Sequence, residues 1–564
     1  MNNIVEAARQ QINSILEAAA GKAAAQGLLP HGELPSYSIE IPGDTSHGDF
    51  AVNAAMVGAK SFSMAPRKIA EALCGNMELE GTFFQSAQVA GPGFINFAVN
   101  PSWFAQSVEL IEKLGGEYGR SDYGKNEKIM VEFVSANPTG PMHMGNARGG
   151  AIGDCLAAAM DAAGYQVQRE FYVNDAGNQI AKFGLSLEAR YMQELQGEDS
   201  FAFPEDGYHG EDIRDRVKEY IAQGGAKLLD VESAARRQAL VDYALPRNIA
   251  KLEEDLHTYR IDYDLWFRES GLYADGTVEK VVGILGEKGL TYEKDGALWY
   301  KATEFGGEKD EVLIRQGGSP TYFAADIAYH YNKFSVRGYN RVINVWGADH
   351  HGHVARLKGA MDAVGLDGSK LDIILMQLVR LMKDGQPYKM SKRTGRSVTL
   401  SDLTDLVPID AARFFFNMRE PGSPMDFDLD LAVEESSHNP VYYVQYAHAR
   451  ICSIQRNLEK EGIYTRPCTR EELELLSQPE ERELIRKLAQ YPDEIVKAAK
   501  YYDPAGLTRY AMETATLFHK FYNTCKVKGE DEALMQARLR LCLCMGGTLR
   551  NLLELLKISA PELM

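Results

Sequence analysis

The apolar and polar positions of the chain change rhythm three times. Residues 3–20 read as an amphipathic helix with Glu6, Arg9 and Glu17 on its polar positions. The stretch 89–99 reads as a glycine–proline turn followed by an alternating strand, and the polar run 119–128 as a linker. From Ile129 the pattern becomes strand, loop, helix, strand. Residues 129–134 form an apolar run, 137–141 a Pro/Gly loop, and a helix is predicted from near Asn146 to Gly164, a glycine placed as a helix end requires. A second strand follows at 166–173. Such a βαβ unit implies parallel strands in a doubly wound sheet. Residues 185–310 are charged and predicted to be a mostly helical insertion, after which strand signals return at 342–346 and 371–375. From about 440 the pattern is helical, punctuated by Pro440, Pro467, Pro492 and Pro504, with no glycine-rich loop before Gly546 and Gly547.

These rhythms predict a multidomain α/β protein. Residues 1–122 are expected to form an α+β N-terminal domain, 123–435 a domain around a parallel Rossmann-type sheet with its insertion around 185–310, and 436–564 an all-α bundle. A length of 564 residues agrees, being too long for one core. Composition adds little: 45% hydrophobic and 25% charged is that of an ordinary globular chain. No apolar run approaches the roughly 20 residues that span a bilayer, and residues 3–20 lack the features of a secretory signal, so the expected compartment is the cytoplasm. A monomer is expected, because no exposed apolar seam stands out.

Seven cysteines are scattered without a C-x-x-C pair, which argues against structural zinc and against a disulfide framework. The net charge of −18 is unevenly spread. Residues 441–564 carry 18 Lys plus Arg against 17 Asp plus Glu, a net of +1 that leaves −19 for the remainder. An acidic chain can still bind RNA through a local basic and aromatic face, so charge alone excludes no such partner.

Two segments carry the chemistry. The first, Ser135-Ala-Asn-Pro-Thr-Gly-Pro-Met-His-Met-Gly-Asn146, lies between strand and helix. Gly140 and Gly145 let backbone approach a ligand, the helix start offers N–H groups to phosphate, and His143 adds a donor for charge developing there. No Gly-Lys-Ser/Thr follows, so it is not a Walker loop. The second, Tyr388-Lys-Met-Ser-Lys-Arg-Thr-Gly-Arg396, holds two lysines three apart, suited as point charges to pyrophosphate oxygens. Either alone is commonplace, as a structural histidine or a solvated basic loop. His350-His351-Gly-His353 hints at a metal, yet no cysteine and no carboxylate other than Asp349 lies close in sequence, so no metal is expected there.

In this order and context the two segments resemble the paired signatures of class I aminoacyl-tRNA synthetases. Glu170–Gln179, Asp295–Trp299, Pro320–Tyr329 and Trp346–Gly352 are similar to blocks of the arginyl-tRNA synthetases. Tyr446–Arg450 and Leu517–Asn523 resemble that family's anticodon-binding domain, and Pro42–Ala51 its extra N-terminal domain, which contacts the tRNA elbow. The resemblance implies ATP-dependent activation of L-arginine and its transfer to tRNA(Arg), with Mg²⁺ arriving on ATP, and activation that needs bound tRNA.

Residue by residue, it implies catalytic roles for His143, Asn146, Lys389 and Lys392. ATP would meet Gly140, Met142, His143, Gly145, Asn146, Asp349, His350, Lys389, Met390, Ser391 and Lys392. Arginine would meet Ser135, Asn137, Asn174, Tyr322, Asp326 and Asp349, with Asn137 on the α-amino group and Tyr322 and Asp326 on the guanidinium. A planar fork of donors suits a carboxylate in a way lysine cannot imitate. The plain alternative for Asp326 is a helix N-cap. Tyr446, His448, Arg450, Arg509 and Tyr522 are the tRNA candidates, although helical spacing would place about half of such residues in the core. Asn146 stands where the family has a histidine, and Gly140 where members lacking the second signature lysine carry theirs.

Overall fold

The computed structural model describes residues 2–388, 398–529 and 531–564. The opening helix runs Ile4–Ala25, five residues beyond the predicted end, because Ala19, Ala20 and Ala23 continue its buried face. Asn3 starts it by accepting a hydrogen bond from the Glu6 amide. An antiparallel sheet accompanies it, with Phe94–Val99 paired to Phe50–Val52 on one side and Phe84–Ala90 on the other. The predicted turn and strand at 89–99 are thus one hairpin.

The central layer is a five-stranded parallel sheet. In chain order its parts are β1 (Lys128–Glu132), α1 (Gly145–Ala162), β2 (Gln166–Val173), β3 (Leu265–Arg268), α2 (Tyr322–Tyr331), β4 (Arg341–Gly347), α3 (His351–Val364) and β5 (Leu371–Met376). The spatial order is β5-β4-β1-β2-β3, every pair parallel. Strand order reverses beside β1, the crevice where doubly wound sheets bind ligands. Helix α1 is buried on nearly all sides, so its sequence shows little amphipathic contrast. Its Gly153 is there for space, since a Cβ would lie 2.3 Å from the Phe133 ring.

The stretch expected to be a helical insertion is more mixed. Gly177–Gln196, Glu211–Gly224 and Ser233–Thr258 are helices with their own apolar cluster around Phe183, Tyr191 and Leu240. Leu265–Arg268, however, is the edge strand β3, and Ala297–Tyr300 pairs antiparallel with Thr291–Lys294 on one side and Glu311–Ile314 on the other in a small sheet. These strands are four residues long, too short for periodicity to separate from the helical signal around them.

After the sheet come α4 (Ile409–Phe416) and a helical bundle that includes α5 (Pro440–Lys460), α6 (Ala505–Thr524) and α7 (Glu532–Leu555). Gly546 and Gly547, expected in a loop, lie inside α7. A Cβ on Gly546 would come within 3.1 Å of Ile451 on α5, so this glycine lets two helices approach closely. The bundle is joined to the sheet through buried Arg413 of α4. It donates to the Asp154 carboxylate at 2.6 Å and to the carbonyls of Leu556 and Tyr259 at 2.9 and 3.1 Å.

Candidate active site

Beyond β1 the backbone turns sharply. Val134 and Ser135 have φ of +70° and +44°, a left-handed conformation that a β-branched valine adopts only under constraint. The constraint is visible. The Ser135 hydroxyl donates to Glu132 Oε1 at 2.9 Å and accepts from the Tyr172 amide at 3.2 Å. Ser135, expected on arginine, therefore has its hydroxyl committed within the protein. Asn137 is exposed on the loop that follows. That loop is braced by the insertion, as Asn248 donates to the Pro138 carbonyl at 3.0 Å.

His143 stands exposed just before α1. Its Nδ1 accepts from the Gly145 amide at 3.0 Å, so in the neutral ring Nε2 carries the hydrogen. Partial desolvation lowers its pKa below the ordinary imidazole range, favouring this neutral donor. Met142, expected on ATP, is buried among apolar side chains. Only its main chain remains available, and its carbonyl accepts from the Leu400 amide at 2.9 Å. The Met144 amide donates to the Val398 carbonyl at 2.9 Å, and His143 pairs with Thr399 in an antiparallel bridge. The chain just after the second signature is thus bound to the first, although the two are far apart in sequence. Lys389, Met390, Ser391 and Lys392 lie outside the described residues. Buried Arg148 of α1 strengthens the link through three carbonyls, those of Gln377, Glu420 and Ser423, at 2.9–3.0 Å.

Asp326, Glu269 and Asp175 form an acidic cluster, with both aspartates in electrostatic range of Glu269. Asp326 is on the second turn of α2, whose N-cap is Thr321, so the N-cap alternative fails. Its Oδ2 meets His353 Nε2 at 2.8 Å. Tyr322 is exposed one turn earlier, with its ring 3.7 Å from where a Cβ on Gly177 would be. Asn174, with its amide oriented to satisfy both ends, donates to Glu269 Oε2 at 3.1 Å. Asp175 accepts from the Ser270 amide and hydroxyl at 2.8 Å. Asp349 and His350 are exposed next to Trp346. Among the described residues no group of three or more His, Cys, Asp or Glu side chains could hold a metal ion.

Sequence reasoning missed Glu269. It is buried, accepts from the Tyr273 hydroxyl at 3.0 Å, and lies within electrostatic range of Asp326 and Asp175. Burial pushes its carboxyl up to about 7. Hydrogen bonds from Tyr172 and Tyr273 oppose the rise, and the two aspartates add to it. No local pattern marks this residue, because apart from Tyr273 the groups that shift it, Tyr172, Asp175 and Asp326, come from distant segments.

A family model described as the class I tRNA synthetase (R) catalytic domain matches residues 110–428. One described as the arginyl tRNA synthetase N terminal domain matches 7–99, and one described as the DALR anticodon binding domain matches 444–564. The chain belongs to the arginyl-tRNA synthetase family. It is 56% identical to the arginine–tRNA ligase of Caldanaerobacter subterraneus and 53% identical to that of Acetivibrio thermocellus, each over 100% of both chains. Among solved structures, a putative arginyl-tRNA synthetase from Campylobacter jejuni is 33% identical with a TM-score of 0.74, covering 83% of this chain and 100% of that one. The arginyl-tRNA synthetase of Thermus thermophilus shares the fold at 23% identity and a TM-score of 0.74, over 98% of this chain and 100% of that one.

In this synthetase the helical region sorts the tRNA candidates. Tyr446 and Arg509 are exposed, Tyr442 and Tyr446 stack at 6.5 Å, and the Arg450 guanidinium lies 4.4 Å from the Tyr522 ring. His448 is buried instead, donating through Nδ1 to the Pro561 carbonyl at 2.9 Å, so it supports the bundle rather than an RNA surface. No helix among the described residues is long and apolar enough to cross a membrane.

Proposed function

We propose that this chain catalyses the ligase reaction of its family, with the two signature segments as its ATP site and the acidic cluster around Asp326 as its arginine site. The observation that carries the reading is the pairing of His143 with Thr399 at the reversal point of the sheet, with Asp326, Glu269 and Asp175 alongside. An arginine carboxylate oxygen attacks the ATP α-phosphorus, forming the acyl–phosphate bond while the α–β bridge breaks and Mg²⁺-bound pyrophosphate leaves. The terminal ribose hydroxyl of tRNA(Arg) then attacks the arginyl carbonyl. An ester forms, AMP leaves, and the hydroxyl proton passes to the departing phosphate or to water.

His143 Nε2, the positive dipole end of α1, and Lys389 and Lys392 would hold the charge that spreads over the phosphates. Asn146 can donate a hydrogen bond there but cannot be charged. Tyr322 and Asp326 would receive the guanidinium. Residues 1–122, 123–435 and 436–564 would serve as tRNA-contacting, catalytic and anticodon-binding domains, with Tyr446, Arg450, Arg509 and Tyr522 on the RNA face.

ATP–pyrophosphate exchange with a panel of amino acids, with and without total tRNA, tests the reading. Exchange specific to arginine and dependent on tRNA is expected, and exchange with another amino acid would overturn it. Lys392→Ala should lower kcat by on the order of 10²-fold, as loss of a transition-state donor does.

A further inference from the structure

Asp326 does not stand free at the pocket wall. Its Oδ2 is 2.8 Å from His353 Nε2, and its main-chain carbonyl faces His330 Nδ1 at 2.8 Å. The second ring nitrogen of His353, Nδ1, accepts from Arg356 Nε at 2.7 Å, and Arg356 Nη1 continues to Glu311 Oε1 at 2.9 Å. The directions of these bonds assign the tautomer. An arginine nitrogen only donates, so Nδ1 carries no hydrogen and Nε2 must be the donor to the carboxylate. The ring is held sideways as well, between Phe323 at 5.8 Å and Trp346 at 5.6 Å. His353 shows 12% of its side chain to solvent and Asp326 shows 34%, so the histidine is a support behind the carboxylate, not a second wall of the pocket.

We propose that His353, oriented by Arg356, is a positioning residue for arginine recognition. It occupies Oδ2 of Asp326 and leaves Oδ1 presented in one direction to the substrate guanidinium. The inference rests on the reading that Asp326 receives that group. A half-exposed carboxylate turns about two torsions, and fixing it before binding removes an ordering cost from the complex. A planar guanidinium needs its acceptors in a fixed plane, so the effect should fall on arginine and not on ATP. His353 belongs to the histidine-rich segment that looked like a metal motif in sequence. In the fold two of those histidines diverge, with His350 exposed and His353 turned onto α2.

The test measures steady-state aminoacylation of total tRNA by the full chain, varying arginine and ATP separately. His353→Leu should raise the arginine KM about 10-fold, equivalent to about 1.4 kcal/mol, with the ATP KM unchanged. His353→Gln, whose amide nitrogen can replace Nε2, should return the arginine KM to within about 3-fold of the parent. Arg356→Met should raise the arginine KM alone, and by no more when added to His353→Leu. An unchanged arginine KM in His353→Leu, or equal rises for arginine and ATP, would overturn the proposal. If His353→Leu does not fold, a normal arginine KM in Arg356→Met overturns it instead. Asp326→Asn separates the two levels. If it leaves the arginine KM unaltered, the guanidinium reading fails. If it raises that KM while His353→Leu does not, only the positioning role fails.

Discussion

Two regions of the molecule bury charge, and they use it for different ends. Near Asp326, Lys333 is fully buried and donates to Glu132 at 2.5 Å and to Asn344 at 3.1 Å. Next to it Arg337 pairs with buried Glu170, which also accepts from Tyr329 at 2.5 Å. Here side chains hold side chains, and the chain of contacts runs through Asn344 and His330 to the carbonyl of Asp326. Lys333 itself sits in a π-helical turn after α2, a local irregularity frequent at functional sites. Around α1 and α4, Arg148 and Arg413 instead direct most of their donors to main-chain carbonyls of remote segments. The first arrangement sets the direction of pocket groups. The second fixes where whole segments lie.

The largest effect is expected at Lys333. Lys333→Met leaves Glu132 buried without its cation and should lower stability by roughly 3–5 kcal/mol in urea denaturation. Adding Glu132→Leu should restore much of that loss without restoring arginine affinity. A double variant as unstable as the single one would show that the pair is not the relevant unit.

Arg413→Met should cost less, about 2–4 kcal/mol, because Asp154 keeps Arg169 at 3.1 Å. Folded protein of this variant should retain its arginine KM while its tRNA KM rises, in keeping with a role between segments. A selective loss of arginine affinity would erase the distinction between the two regions.

The smallest effect is expected at Glu269. Its folded-state pKa of about 7 lies above the ordinary value of 4.5. At pH 4 and below the group is neutral in both states and contributes nothing. As pH rises from about 4.5 to 7 the unfolded chain releases the proton first, so stability falls across that window. Glu269→Gln should therefore be more stable than the parent above pH 7, by about 1–3 kcal/mol, with no difference near pH 4. Bound arginine favours the ionised carboxylate, so the parent's arginine KM should fall several-fold between pH 6 and 8 and stay flat in the variant. Matching pH profiles would remove Glu269 from the pocket's electrostatics.

The parallel sheet, the strand–loop–helix that carries His143, the helical C-terminal region and the family are legible in the sequence, because they rest on local periodicity and on motifs contiguous in the chain. The sequence also named Tyr322 and Asp326. It placed Met142 on ATP, although its side chain is buried, and grouped His448 with Tyr446, although residues two apart on a helix face opposite sides and only the packing shows which side is covered. Strand β3 and the in-helix position of Gly546 were equally hidden, since a four-residue strand and a glycine between packed helices look locally like neighbouring helix and loop. What the tertiary structure alone decided is which distant residues share one environment. Glu269 gains its raised pKa from burial and from Asp326 and Asp175. His353 gains its tautomer from Arg356, and Lys333 its burial from Glu132 on another element. Desolvation and hydrogen-bond direction are properties of surroundings in space, and no one-dimensional pattern of residues contains them.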